Sequence, residues 1–159
     1  MIFSLVMSLH DWPVVGERRF IGLDNYRVML TQDPKFWQSL GITVKFAAIF
    51  VPLNILLSFL LAVLLNVKVR GTALFRTAFY LPSIISGVAL VMIWKWIYSK
   101  DYGLLNYGLS VLGVDGPNWL GDPKWSILAI IIASLWGMGG TMLILLAGLQ
   151  SIPKELYEA

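Results

Sequence analysis

The sequence predicts an all-α membrane protein, a polytopic bundle of transmembrane helices. Hydrophobic residues make up 58% of the 159 residues and charged residues only 13%, whereas soluble domains average about 45–50% apolar and about 25% charged residues. The mean hydropathy is +0.76. Three long stretches are apolar and nearly free of charge, and each has about the length at which an α-helix crosses the hydrocarbon core. A soluble globular fold is therefore disfavoured.

Composition also excludes several other classes of protein. The formal net charge is +3, but the twelve Lys and Arg residues are scattered, which argues against nucleic-acid binding. The chain has no cysteine, so disulfides, thiolate nucleophiles and Cys-ligated zinc are excluded. It also lacks the phosphate-binding G-x-x-x-x-G-K-[ST] motif, so any nucleotide chemistry is expected in a partner.

The N-terminal segment is apolar but too short to cross a bilayer. Residues 1–9 lack the basic region and the small-residue cleavage site of a secretory signal. We expect them to be the remnant of a first transmembrane helix. Residues 10–45 are then an extracytoplasmic segment, and His10, the single histidine of the sequence, is expected to anchor the chain at the membrane interface.

Three complete spans follow. Residues 46–65, FAAIFVPLNILLSFLLAVLL, are uncharged and form the first predicted transmembrane helix. Residues 77–98 form the second, in which Lys95 is expected to snorkel to the interface. Residues 125–149, WSILAIIIASLWGMGGTMLILLAGL, form the third. None carries a charge at its centre, where one Lys or Arg would cost roughly 2.5–3.5 kcal/mol.

The short connections predict the orientation, because Lys and Arg are retained on the cytoplasmic side. Residues 66–76 carry no acidic side chain, and their basic residues are Lys68, Arg70 and Arg76. This loop is therefore predicted to be cytoplasmic. By alternation, residues 99–124 are extracytoplasmic and residues 150–159 are cytoplasmic.

The outer connection has a different composition. The stretch 95–124 balances three basic against three acidic side chains, so it carries no retention signal. A short surface helix is predicted around GLLNYGLSVLG. The aromatic residues of the connection suit an interfacial belt, and they are Trp96, Tyr98, Tyr102, Tyr107, Trp119 and Trp125.

Polar positions inside the spans leave two interpretations open. The uncharged span interiors argue against a proton-coupled pump or an intramembrane enzyme. Asn54 and Ser58 are one helical turn apart. A face of the third span combines an aromatic ring with small residues; its members are Ala133, Trp136, Gly137, Gly140, Thr141 and Ile144. Such residues are typical of helix packing with hydrogen bonds across helices. Alternatively, they line a pathway for a neutral, hydrogen-bonding solute such as a sugar.

Residues 152–159, IPKELYEA, resemble the start of the E-A-A loop, the signature cytoplasmic loop of ABC importer permeases. Most of the chain resembles the carbohydrate-uptake branch, the permeases of the maltose, lactose and glycerol-phosphate type. The matching pieces, in order, are FSLVMSLHDW, FIGLDNYRVML, GTALFRTAFYLPSIIS, DYGLLNYGLSVLG, NWLGDP and LILLAGLQSIPKELYEA. The resemblance implies part of a type I ABC importer permease domain in the cell (inner) membrane. Because the sequence stops within the loop, we expect it to be a fragment.

In such importers, two permease subunits form the path and a cytoplasmic ATPase dimer, which binds ATP and Mg, drives transport. A solute-binding protein delivers the substrate from outside. The resemblance therefore implies that this chain has no catalytic residues, metal or cofactor of its own. It also implies that the E-A-A loop docks on the ATPase, through an apolar side and two carboxylates: Ile152, Leu156 and Ala159, with Glu155 and Glu158.

The resemblance also assigns a substrate path, whose expected residues are Ser83, Gly87, Trp136, Gly137 and Thr141. It leaves open which sugar is carried. Two alternatives remain: a small membrane scaffold in which the same polar faces only hold helices together, and an ABC permease for a non-sugar substrate such as a polyamine or phosphate. A charged substrate should place complementary charge near the path, and the predicted span interiors have none.

Overall fold

The computed structural model describes residues 1–13, 15–67, 71–85 and 87–153. Within these residues the chain forms eight α-helices and a single two-stranded hairpin, which confirms the all-α class. The chain divides into two compact units, Met1–Lys45 and Phe46–Ala159.

The first unit is a small helix and hairpin assembly. Its elements are α1 (Ile2–Ser8), β1 (His10–Asp11), β2 (Arg19–Phe20) and α2 (Asp24–Thr31). The strands are antiparallel, with His10 opposite Phe20. The Asn25 side-chain amide donates to the carbonyl oxygens of Ser8 at 2.9 Å and His10 at 3.2 Å. Nδ1 of His10 lies 2.7 Å from the Val6 carbonyl oxygen, so this histidine closes the end of α1, and its interfacial anchoring stays a prediction.

Helix α3 spans Pro34–Asn66 and contains the first predicted transmembrane stretch. It begins well before residue 46, because Asp33 and Pro34 form a helix start. The Asp33 carboxylate accepts from the Lys35 backbone N–H at 2.9 Å, and proline at the first helical position loses no helical hydrogen bond. Lys45 therefore marks the edge of the apolar stretch and not the start of the helix.

The second predicted span consists of two helices, α4 (Thr72–Ile84) and α5 (Gly87–Ile97). Residue 85 is extended, with φ −64° and ψ 136°, and Pro82 in the last turn of α4 removes one backbone donor. The basic residue Arg76, at the end of the predicted cytoplasmic segment, lies inside α4. Its guanidinium donates to the Leu65 carbonyl oxygen at 3.1 Å, so it satisfies a free acceptor at the end of α3.

The third predicted span also consists of two helices, α7 (Pro123–Leu135) and α8 (Gly139–Gln150), which meet at an angle of 49°. A tight turn joins them: the backbone N–H groups of Gly137 and Met138 donate to Ser134 and Leu135 at 3.2 and 3.1 Å. Helix α6 (Leu104–Val111) lies at the predicted short helix of the outer connection.

Length and composition make α3 suitable for crossing a membrane. Among the described residues, the number of possible spans rises to three if α4 with α5 and α7 with α8 are each counted as one bent span. The transmembrane boundaries and the sidedness of the loops stay predictions.

Helix α8 packs against both α3 and α4. The buried core of this contact consists of Ala62, Leu65, Met142 and Leu146. On the α4 side the contact is backbone to backbone: a Cβ atom added to Gly139 would overlap the Phe79 carbonyl and lie 2.8 Å from the Tyr80 Cα. Small residues allow helices to approach this closely, so the α4–α8 contact requires glycine at this position.

We predict that Gly139→Ala destabilises the protein relative to Gly140→Ala. A Cβ on Gly139 meets the α4 backbone, whereas one on Gly140 meets nothing within 4 Å. Overpacking of this kind costs about 1–3 kcal/mol, and the matched control accounts for the intrinsic helix preference of alanine. The free energy of unfolding in detergent micelles measures the difference. Equal stability of the two variants would contradict the close contact.

Candidate functional site

Two residues of the predicted substrate path flank the break between α4 and α5. Ser83 lies in the last turn of α4, and its hydroxyl donates to the Tyr80 carbonyl oxygen at 2.6 Å. Gly87 is the first residue of α5 and is exposed. The Ser83 hydroxyl therefore already satisfies a backbone acceptor beside the break, and it keeps its lone pairs for a further donor.

The other three path residues lie at the bend between α7 and α8. Trp136 and Gly137 belong to the connecting turn, and Thr141 lies in the first turn of α8. The Trp136 side chain is 51% exposed. Its ring packs edge-on against Trp94, with 5.4 Å between ring centroids.

The two breaks are brought together at a cavity of about 260 Å³. Its lining residues are Ala78, Phe79, Pro82, Trp136 and Met138. Trp136 is thus the one predicted path residue that lines this cavity. The assignment of the path residues stays a prediction.

The polar pair on α3 forms hydrogen bonds to the same region. The Asn54 side-chain amide donates to the Thr141 hydroxyl at 3.4 Å, and the Ser58 hydroxyl donates to the Met138 carbonyl oxygen at 3.3 Å. Ser58 is fully buried. These bonds are those expected from the packing interpretation of the polar positions.

Asn54 also has a polar atom that the packing does not use. Its carbonyl oxygen Oδ1 is buried, and among the described residues it has no hydrogen-bond donor. A buried acceptor without a partner is costly, so this oxygen is a potential contact for a hydroxyl group. Sequence reasoning could mark Asn54 as polar within an apolar span, but the unused acceptor is visible only in three dimensions.

An aromatic cluster connects α5, α7 and the outer connection. Centroid distances are 5.1 Å for Trp94 and Tyr98, 6.0 Å for Tyr98 and Trp119, and 5.3 Å for Trp119 and Trp125. The Tyr98 hydroxyl donates to the Ala129 carbonyl oxygen at 2.8 Å. Tyr98 is only 2% exposed, so its predicted place in an interfacial belt is wrong. Its ring packs inside the protein instead.

The predicted ATPase contact lies mostly outside the described residues, which end at residue 153. Ile152 is 39% exposed and follows closely on α8. The other predicted contact residues, Glu155, Leu156, Glu158 and Ala159, lie outside the described residues. Their docking role stays a prediction.

Residues 54–159 match the family described as "Binding-protein-dependent transport system inner membrane component". The chain is 40% identical to the trehalose/maltose transport system permease protein MalF of Thermococcus litoralis, over 96% of this chain and 52% of the relative. It is 41% identical to the lactose transport system permease protein LacF of Rhizobium radiobacter, over 98% of this chain and 53% of the relative. It thus spans about half the length of these relatives.

The chain is also similar to a solved structure of a transporter. The chain superimposes with a TM-score of 0.84 and 27% identity on a chain of a bacterial ABC transporter involved in import of the acidic polysaccharide alginate. The match covers 99% of this chain and 53% of that one.

We predict that Ser58→Ala destabilises the protein more than Asn54→Leu. The first change removes a buried hydrogen bond worth about 0.5–1.5 kcal/mol and leaves no group of similar size in its place. The second replaces a long bond and an unused acceptor by an apolar group with the same branching and the same number of non-hydrogen atoms, which is close to neutral. The free energy of unfolding in detergent micelles, measured for each variant, gives the two losses of stability. A larger loss for Asn54→Leu would show that Oδ1 has a stabilising partner.

Proposed function

Because this chain belongs to the family of binding-protein-dependent transport system inner membrane components, we propose that it is the membrane-embedded permease part of an ABC importer for a sugar or sugar derivative. A second permease subunit completes the path, a cytoplasmic ATPase dimer supplies the energy of ATP hydrolysis, and an extracytoplasmic solute-binding protein delivers the substrate. The agreement along nearly the whole chain with permeases named for maltose, trehalose and lactose carries the proposal.

The carboxyl end of the chain lies on the cytoplasmic side in this proposal. The basic loop at residues 66–76 supports that orientation, since Lys and Arg are retained inside. Helix α8 then runs toward the cytoplasm and leads directly to Ile152 and the E-A-A residues. The ATPase pushes and pulls on this end of α8.

The packing of α8 determines which helices move when the ATPase applies force to its end. Met142 and Leu146 share a core with Ala62 and Leu65 of α3, and Gly139 lies against the α4 backbone. Close-packed contacts move together because compressing or separating them is costly. Force on the cytoplasmic end therefore displaces α3, α4 and α8 as one rigid body. The breaks beside Pro82 and at Trp136 are the points at which this body tilts relative to α5 and α7.

The chemistry around the two breaks suits a neutral solute. Trp136 offers a flat apolar face to the C–H surface of a sugar ring. Asn54, Ser83 and Thr141 offer uncharged hydrogen-bonding groups. The predicted span interiors carry no ionisable side chain, so a phosphate or a polyamine would find no opposite charge there.

A membrane scaffold is the second candidate, and the cross-helix bonds of Asn54 and Ser58 favour it. These bonds are fully explained by helix packing. In that case the cavity between the breaks would contact no solute, and changes in its lining would affect assembly alone.

We predict that Trp136→Ala reduces sugar uptake at least tenfold in the complete importer reconstituted with its ATPase and binding protein. The reason is loss of the flat face that orients the sugar, and tenfold corresponds to about 1.4 kcal/mol of transition-state stabilisation. Trp12→Ala is the matched control, since Trp12 is similarly exposed and lies in the other unit. Unchanged uptake by Trp136→Ala, with the complex intact, would favour the scaffold.

We also predict that a cysteine introduced as Glu155→Cys in the complete importer crosslinks to the ATPase. The 159 residues contain no native cysteine, so the introduced thiol is the sole one among them, and any cysteine elsewhere in the subunit is first replaced by serine. Tyr102→Cys is the control, because Tyr102 lies on the predicted outer connection and should not react with the ATPase. Crosslinking of Tyr102→Cys in place of Glu155→Cys would reverse the proposed orientation.

A further inference from the structure

A second cavity lies on the outer connection, away from the predicted path. It has a volume of about 780 Å³ and lies between the end of α5, helix α6 and residues 114–116. The cavity between the helix breaks has about 260 Å³. Ligand sites commonly have volumes of about 300–1,000 Å³, so the outer cavity has room for one or two sugar rings.

Three aromatic rings line this cavity, and none of them belongs to the buried aromatic cluster. Trp96, Tyr102 and Tyr107 are 52%, 72% and 69% exposed. Their rings are therefore not needed to fill the core of the connection. Flat exposed rings around a cavity provide apolar surfaces for the C–H faces of a sugar, and the two phenol groups add hydrogen-bonding capacity.

Charged side chains complete the lining. Asp101 and Asp115 provide carboxylates, and Lys100 provides one ammonium group. Carboxylates accept hydrogen bonds from hydroxyl groups, and such charge-assisted bonds are stronger than neutral ones. Two negative charges against one positive charge disfavour an anionic ligand.

The floor of the cavity is held in place by Asn106, which is 9% exposed. Its amide nitrogen donates to the carbonyl oxygens of Lys100 at 3.0 Å and Pro117 at 3.2 Å, and its carbonyl oxygen accepts from the Trp119 indole at 2.7 Å. Gly116 lies so close that a Cβ there would overlap the Asn106 amide. The backbone around the cavity is thus held in place, which lowers the entropic cost of binding.

From these observations we propose that the outer cavity is a second saccharide site, which binds a neutral sugar unit and disfavours uronates. The inference rests on the proposed function and deepens it, because it places a weak sugar-binding vestibule on the predicted extracytoplasmic side, ahead of the path. The aromatic faces and carboxylates bind the sugar, and Asn106 acts as a positioning residue for the cavity floor.

The test uses the complete importer in lipid nanodiscs without its binding protein. Isothermal titration with maltotriose should show saturable binding that Tyr102→Ala and Asp101→Asn each weaken at least fivefold. Trp12→Ala should leave the affinity unchanged. Trigalacturonate, the acidic probe, should bind at least tenfold more weakly than maltotriose.

Several outcomes would contradict the proposal of a saccharide site in the outer cavity. Maltotriose could fail to bind the wild-type importer, or could bind Tyr102→Ala as tightly as wild type. Loss of binding-protein capture by Tyr102→Ala, with maltotriose affinity unchanged, would make the cavity a protein docking surface instead. ATP-driven sugar uptake by the same wild-type importer, reconstituted in proteoliposomes with its binding protein, distinguishes failure of the inference from failure of the proposed function. Uptake without vestibule binding contradicts the inference alone, whereas absence of uptake for any saccharide tested contradicts the proposed function.

Discussion

The close approach of α4 to α8 at Gly139 is the constraint on which the arrangement of the larger unit depends. A side chain at this position would overlap the α4 backbone, so the contact exists because the residue has no Cβ. It brings the break between α4 and α5 next to the bend between α7 and α8. The same approach places Met142 and Leu146 against Ala62 and Leu65 of α3.

Interrupted helices in an apolar environment need partners for their freed polar groups. This chain provides them from neighbouring helices and from the break itself. Ser58 donates to Met138 at the bend, and Ser83 donates to Tyr80 beside the other break. Arg76 similarly satisfies the end of α3 at Leu65. The breaks are thereby stabilised, while Asn54 keeps one acceptor that no described residue uses.

The sequence predicts some of these features well, for physical reasons. An apolar stretch such as residues 46–65 indicates a helix in lipid through its length alone. The same uniform hydrophobicity hides the bends, because the spacing of apolar residues does not change at residue 85 or at residues 136–138. Proline and glycine near these positions are compatible with a break in the helix, yet both are also common in unbroken transmembrane helices. The two strands have only two residues each, too few to show an alternation of apolar and polar side chains in the sequence.

Side-chain roles were harder to predict than helices. Tyr98 has the composition of an interfacial residue, but its neighbours in space, Trp94 and Ala129, decide that it is buried. Asn106 is inconspicuous in the sequence of α6, although its side chain forms hydrogen bonds to three other residues of the outer connection. Both roles depend on contacts between residues distant in sequence, which no local pattern records.

Whether α3 and α8 move as one body is tested most directly by the distance between spin labels on them. Leu64→Cys on α3 and Ile144→Cys on α8 are suitable because their native side chains are 66% and 75% exposed. Pulsed electron paramagnetic resonance would be recorded on the complete, transport-competent importer in its nucleotide-free and ATP-trapped states. We expect the same distance distribution in both states. A distance that changes with nucleotide would mean that α8 slides over α3, and it would contradict the rigid coupling of the two helices.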